Sequence, residues 1–168
     1  MNDPQTRWSP IVPLVIDKAC SEDHPRIFEL LKQANMHHIP SPEMPEVSWD
    51  NYFVARLDGE VVGFSGYKVL SATEAKTELM AVDTKCRGLG VGFKLQERRM
   101  EDMLSRGIRT LTTHADLPAT IAFYKKYFAY IEVGKLAKLH EFGSPDIDQW
   151  TTLQTDLIAW DHNRKTGV

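Results

Sequence analysis

Arg87-Gly88-Leu89-Gly90-Val91-Gly92 is the stretch whose residue types and spacing carry the clearest chemistry. Glycine lets a backbone turn tightly and brings amide groups close to a ligand. Between a strand and a helix those amides point outward at the positive end of the helix dipole. The result is a pyrophosphate cradle that needs little net charge. Lys85, Arg87 and Lys94 add local positive charge. A purely structural turn and a Rossmann dinucleotide site compete with that reading. The Rossmann site wants parallel βαβ units and an acidic residue about twenty positions on. Here the preceding strands read as an antiparallel meander, and no acid falls in residues 108–115. A Walker P-loop is excluded, because no Gly-Lys-Ser/Thr follows.

Three titratable residues on the elements around this turn are candidates for proton transfer. Tyr124 carries a phenol that stays protonated at neutral pH and donates a proton to a strong base; by spacing alone it is a core tyrosine beside Ile121 and Phe128. Glu78 lies on the strand before the glycines, with a parity that places it on the face of Met80 and Val82. His114 ends the next strand, and an unperturbed imidazole titrates near the working pH of a general base. Among the other histidines, His37 and His38 are adjacent and so point to different sides, His140 opens a late loop, and two cysteines, Cys20 and Cys86, are too few for a structural zinc site. No metal is expected.

The elements that must hold these groups alternate along the chain. Residues 12–19 read as a strand. Ser21-Glu22-Asp23 offers an N-cap to a helix with Pro25 in its first turn and Ile27, Phe28, Leu30 and Leu31 at helical spacing. Three prolines mark residues 37–48 as a loop. Residues 52–57 and 60–70 flank Asp58-Gly59, the preferred pair for a tight hairpin, and residues 77–82 form a further antiparallel strand. Residues 92–106 read as a helix with Val91, Leu95, Met100, Met103 and Leu104 on one stripe and an Arg98–Asp102 pair on the wet side. Residues 108–114 are a strand. Asp116 caps a helix carrying Ile121, Tyr124 and Phe128, and residues 131–139 and 150–157 are the last strands. That order predicts a mixed sheet with helices on its faces.

The 168 residues suit one domain, with residues 1–10 and 161–168 as loose termini. A net charge of −3 gives no bulk attraction to nucleic acid or to an anionic membrane, so a phosphorylated ligand needs a local site. The polar first ten residues do not read as a signal peptide, and no apolar run approaches the ~18 residues of a membrane span. The expectation is a soluble, cytoplasmic protein with reduced thiols.

Arg87, Gly90 and Gly92 stand in the defined positions of Gln/Arg-x-x-Gly-x-Gly/Ala, and in this the chain resembles the GNAT acetyltransferases. The likeness extends to residues 79–83 before the signature, 16–33, the 52–63 hairpin, and 119–126 with its tyrosine. Leu117 stands where the family often has Asn, and Ala129-Tyr130 stands one step beyond the usual place of Gly-Phe. The resemblance implies an α/β (α+β) fold: a mostly antiparallel mixed sheet of six to seven strands, helices on both faces and splayed central strands. It implies acetyl-CoA as co-substrate, held by Met80, Ala81 and Val82 along the pantetheine and by Arg87, Gly88, Leu89, Gly90, Val91 and Gly92 at the diphosphate. Tyr124 would be the general acid, and Glu78 or His114 the base, with a water chain as the alternative. The resemblance also puts the acceptor pocket between two loops that contain Glu43, Glu46, Glu141, Asp146 and Asp148. The function expected is acyl transfer to a primary amine of a small molecule. A protein lysine or N-terminus, a non-catalytic acyl-CoA-binding module and a nucleotide-binding protein stand as alternatives, and a homodimer is left open.

Overall fold

The computed structural model describes residues 13–36 and 47–167. The expected readings of residues 1–10, of the 37–46 loop with its His37, His38, Glu43 and Glu46, and of Val12 lie outside them. Strand β1 (Leu14–Lys18) is followed by helix α1 (His24–Gln33), then by β2 (Tyr52–Leu57), β3 (Glu60–Val69) and β4 (Glu74–Val82). Helix α2 (Val91–Ser105), strand β5 (Thr110–Ala115), helix α3 (Pro118–Phe128), strands β6 (Ile131–Ala137) and β7 (Gln149–Asp156) and helix α4 (Leu157–Thr166) complete the order. The strands form one seven-stranded sheet, β1-β2-β3-β4-β5-β7-β6, antiparallel throughout except for β4 against β5.

Helices cover both faces. On one side α1 packs Ile27, Leu30 and Leu31 against Tyr52, Val54, Phe64, Leu79 and Ala81. On the other, Leu95, Met100 and Met103 of α2, Tyr124 and Phe128 of α3 and Trp160 of α4 share a core with Phe53, Tyr67 and Leu111. Burying one such side chain is worth about 1.5–3 kcal/mol, against about 1 kcal/mol for a helix cap. Packing therefore positions these helices, and two expected caps are put to other use. Asp23 precedes α1 without capping it; its carboxylate binds Arg56 and the Cys20 amide. Asp116 likewise does not cap α3, whose N-cap position is Leu117.

Two further expectations change. The polar residues 161–168, read as a loose end, belong largely to α4. Asp156 caps that helix through the Ala159 amide, Leu157 and Trp160 anchor it, and Arg164 reaches Glu101 of α2 at 2.9 Å. The Arg98–Asp102 pair does not form: Arg98 lies over the Phe53 ring, and Asp102 accepts from the Tyr67 hydroxyl at 2.5 Å and pairs with Arg106 at 3.4 Å.

The centre of the sheet opens. Parallel strands β4 and β5 pair only at Glu74↔Thr110, Ala75↔Leu111 and Lys76↔Thr112. A hydrogen bond between the Thr77 and Thr113 hydroxyls follows, and then the strands part, although β4 continues to Val82 and β5 to Ala115. At the same level β4 carries a bulge. Ser65 pairs with Met80 and Tyr67 with Thr77, so Gly66 alone faces the two residues Glu78 and Leu79. A bulge re-aims the side chains that follow it, and this one breaks the alternation expected of Glu78. Glu78 reaches Tyr52 on the α1 side, whereas Met80 and Val82 pack toward the core under α2 and α3.

Candidate active site

The parted strands leave a cavity of about 500 Å³. Its walls are Glu78 to Val82 of β4, Thr113 to Ala115 of β5, the end of α1 with Asn35 and Met36, Tyr124 of α3, and Trp150. Both sheet faces contribute, so the cavity is a slot through the sheet rather than a pit on one side.

The glycine turn stands at the β4 end of this slot, where Val82, Thr84 and Arg87 join its lining. Asp83 anchors the turn. Its carboxylate takes the Lys85 amide at 3.0 Å and Arg26 of α1 at 2.5 Å, and these partners hold it below the usual carboxylate range. Gly88 and Gly90 both have positive φ, 83° and 78°, a region that costs an L side chain about 1–2 kcal/mol. Gly90 is the N-cap of α2, and no side chain caps the helix. Its first intrahelical bond runs from the Lys94 amide to Gly90 O. The amides of Val91, Gly92 and Phe93 thus have no acceptor within the helix. A Cβ placed at Gly88 or Gly90 would meet nothing within 4 Å, and one at Gly92 only Val82 Cγ2 at 3.8 Å. Open space therefore fronts the uncapped dipole. Arg87 and Lys94 are exposed beside it, and Arg87 makes no ion pair among the described residues.

Tyr124 and Glu78 are brought to the same slot from opposite faces. Tyr124, 5% exposed, projects from α3, and its hydroxyl oxygen accepts from Arg99 Nη2 at 3.2 Å. Glu78 accepts from the Tyr52 hydroxyl at 2.7 Å through Oε2, while its Oε1 is buried with no partner among the described residues. Burial, together with the Glu78 carboxylate, pushes the Tyr52 phenol far above its ordinary value, so it remains a proton donor to Glu78. His114 lies on the far wall. Its Nδ1 is 3.1 Å from Thr152 Oγ1, and burial, aided by Lys76, lowers its pKa below 6.5 and keeps the ring neutral.

The late loop closes over the slot by contacts far apart in sequence. Asn35 donates through Nδ2 to the carbonyls of Glu141 and Gly143, both at 3.1 Å, and accepts the Gly143 amide. Lys138, almost fully buried, binds Asp116 at 2.9 Å and the carbonyls of Phe142 and Ser144. Burial alone would raise the Asp116 pKa, but the Ser144 amide and Lys138 outweigh it and leave it lowered. The loop acids do not line the slot: Glu141, Asp146 and Asp148 are exposed, and the loop contributes Gly143 and Ser144 instead. His140 stacks on Phe142, 5.3 Å between ring centres. Among the described residues no cluster suits a metal ion, and no helix is long and apolar enough to cross a membrane.

Arg99, Gln96 and Tyr52 are site-building residues that sequence reasoning passed over. Arg99 and Gln96 are 0% exposed. Their signal was available: Arg99 stands four residues after Leu95 and four before Met103, and Gln96 four before Met100, within a run whose polarity suggests a wet face.

Three comparisons bear on the chain. A model of the acetyltransferase (GNAT) family matches residues 24–130. No curated protein matches it significantly. Among solved structures it is similar to Ard1 from Thermoplasma volcanium, with a TM-score of 0.70 and 20% identity over 86% of this chain and 98% of that one. It is similar to the ribosomal-protein-S18-alanine N-acetyltransferase from Escherichia coli (TM-score 0.69, 19% identity, 86% and 94% covered). It is also similar to yncA, a putative acetyltransferase from Salmonella typhimurium solved with its cofactor acetyl-CoA (TM-score 0.67, 17% identity, 86% and 94% covered).

Proposed function

The chain belongs to the acetyltransferase (GNAT) family, and from that premise we propose that it moves the acetyl group of acetyl-CoA onto a primary amine of a small molecule, through the slot between β4 and β5. One observation carries the reading. The slot runs from Arg87, in the turn that leads into an uncapped helix N-terminus, to a pair of opposed proton-handling groups, Tyr124 on the α3 side and Glu78 on the α1 side.

The diphosphate of acetyl-CoA fits the turn. Residues 88–93 offer free amides, a positive dipole end and room in front of Gly88 and Gly90, with Arg87 and Lys94 as flanking cations. Met80, Ala81 and Val82 pair with β3 on one side and border the gap left by β5 on the other, so the amides and carbonyls that face β5 have no partner strand and can serve the pantetheine and the thioester carbonyl. Bound in this way, acetyl-CoA supplies an activated acyl group.

The protein's own groups then move two protons. Glu78 takes one from the amine, using the oxygen that Tyr52 leaves free. The amine nitrogen bonds to the acyl carbon, the C–S bond breaks with its electron pair on sulfur, and Tyr124 gives its proton to that sulfur. A carboxylate held by one oxygen with the other unpartnered is placed to accept the one N–H proton that a neutral amine loses in forming the amide. His114 is neutral and stands as the second candidate for the base. The loop tied down over one side of the slot by Asn35 and Lys138 supports a small acceptor over a folded protein surface.

A thiol-release screen over amino sugars, amino acids, polyamines and peptide N-termini tests this reading. Release of free CoA with one small amine class, matched by N-acetylated product, is expected. Release only with peptides would replace the acceptor, and binding of acetyl-CoA without release for any amine would leave a non-catalytic binding module.

A further inference from the structure

Arg99 is the largest of the fully buried side chains, at 0% exposure, and no carboxylate lies within ion-pair distance of it among the described residues. Buried arginines are rarely left without a countercharge, because a desolvated charge is costly unless paired. This one is held by three neutral acceptors: Gln96 Oε1 at 2.6 Å, Gly66 O at 3.0 Å and the Tyr124 hydroxyl at 3.2 Å. Its place on the stripe between Leu95 and Met103 would take a leucine or methionine for packing alone. A guanidinium there serves something that packing does not.

We propose that Arg99 is the positioning residue for Tyr124: a fixed buried cation that turns the phenol's proton toward the slot and faces the charge left on its oxygen after the proton departs. The inference rests on the reading of Tyr124 as the acid. The direction of the bond carries it. Arg99 has no acceptor, so Nη2 must donate and the phenol oxygen must accept. The phenol's own proton then points away from Arg99, and no side chain among the described residues accepts it. Tyr124 itself lines the slot, so the free proton is offered there. When it leaves, the oxygen's negative charge faces a guanidinium already in place, in a site with little water to screen it. Such preorganised charge acts on the transition state without reorganisation. The contact with Gly66 fixes Arg99 against the sheet. Gly66, whose carbonyl Arg99 holds, is the single residue opposite the Glu78–Leu79 bulge, and the Tyr52 ring packs directly on it. One side chain thus ties the acid to β3, the strand paired with the one that carries the base.

A double-mutant cycle tests the proposal, with turnover measured at saturating acetyl-CoA and the amine found by the screen. Arg99→Gln should lower kcat by about tenfold or more while the KM for acetyl-CoA stays within about threefold. In the Tyr124→Phe background the same substitution should change kcat by less than about twofold, since no proton remains to be aimed. Arg99→Lys keeps the charge and should recover part of the loss. An equal loss in both backgrounds would make Arg99 structural and overturn the proposal while leaving Tyr124 as the acid. Wild-type kcat in Tyr124→Phe alone would remove the acid and the proposal together. If the Arg99 variants do not fold, guanidinium NMR of the unsubstituted protein decides. A slowly exchanging Nη proton that shifts in Tyr124→Phe is expected, and its absence would overturn the contact.

Discussion

At the glycine turn the outward-facing groups are backbone amides set by consecutive residues, Asp83 to Phe93. Across the slot the corresponding groups are side chains joined over long stretches of chain: Tyr52 to Glu78, Asn35 to Gly143, Lys138 to Asp116. The first region offers a ligand the dipole and shape of one helix end; the second holds its side chains in place by bonds between distant parts of the chain. A single backbone change should therefore abolish function at the turn, whereas single side-chain changes across the slot should reduce rates in graded steps.

The largest effect is expected at Gly90. Gly90→Asp adds a side chain at φ 78° and a negative charge in front of the helix dipole. Wild-type protein should gain melting temperature with acetyl-CoA, since a ligand bound only by the native state stabilises it, and the variant should lose that gain while remaining folded. A persisting shift would break the contrast at its strong side. Next comes Tyr124→Phe, which keeps the ring and removes the proton. A fall of about 10²-fold in kcat with acetyl-CoA affinity within a few fold is expected from steady-state kinetics and ligand titration.

Glu78→Gln should remove the acidic limb of kcat/KM, provided the limb does not track the pKa of the acceptor across an amine series. Should His114→Gln remove it instead, the base moves to the β5 wall, and the limb should lie below pH 6.5, because burial disfavours the charged ring. The same lowered pKa predicts a stability term. The unfolded chain binds the His114 proton more readily, so this contribution is full above pH 6.5 and is lost as pH falls from there toward the folded value. Denaturant titrations at several pH values should show that slope flattened in His114→Gln.

The smallest effect belongs outside both regions. Ala129 ends α3 at φ 57°, a conformation natural to glycine. Ala129→Gly should gain about 1 kcal/mol, or about 2–4 °C in Tm for a domain of this size, and leave kcat unchanged. A kinetic change would show that the helix end, too, belongs to the catalytic network.

The same contrast explains what was legible beforehand. The Asp58-Gly59 hairpin, the glycine turn and the stripe of α2 are written in neighbouring residues, and they form as read. The strand pairing that opens beyond Lys76 and Thr112 was expected only through family likeness. The Glu78 bulge had no local mark, because it is defined by which residues of β3 lie opposite. Asp23 and Asp116 look like caps because a cap is a local motif. Their partners, Arg56 and Lys138, come from far along the chain and win by adding charge to the hydrogen bond. Helix α4 was hidden by its polar surface, although Leu157 and Trp160 recur at helical spacing behind Asp156.

Amide hydrogen exchange with and without acetyl-CoA tests most directly that the turn and the parted strands form one binding channel. The account predicts new protection at Val91, Gly92 and Phe93 together with the end of β4 at Met80 to Val82, and little change along β1 and β6. Protection confined to other parts of the chain, or none at α2's first turn, would contradict it.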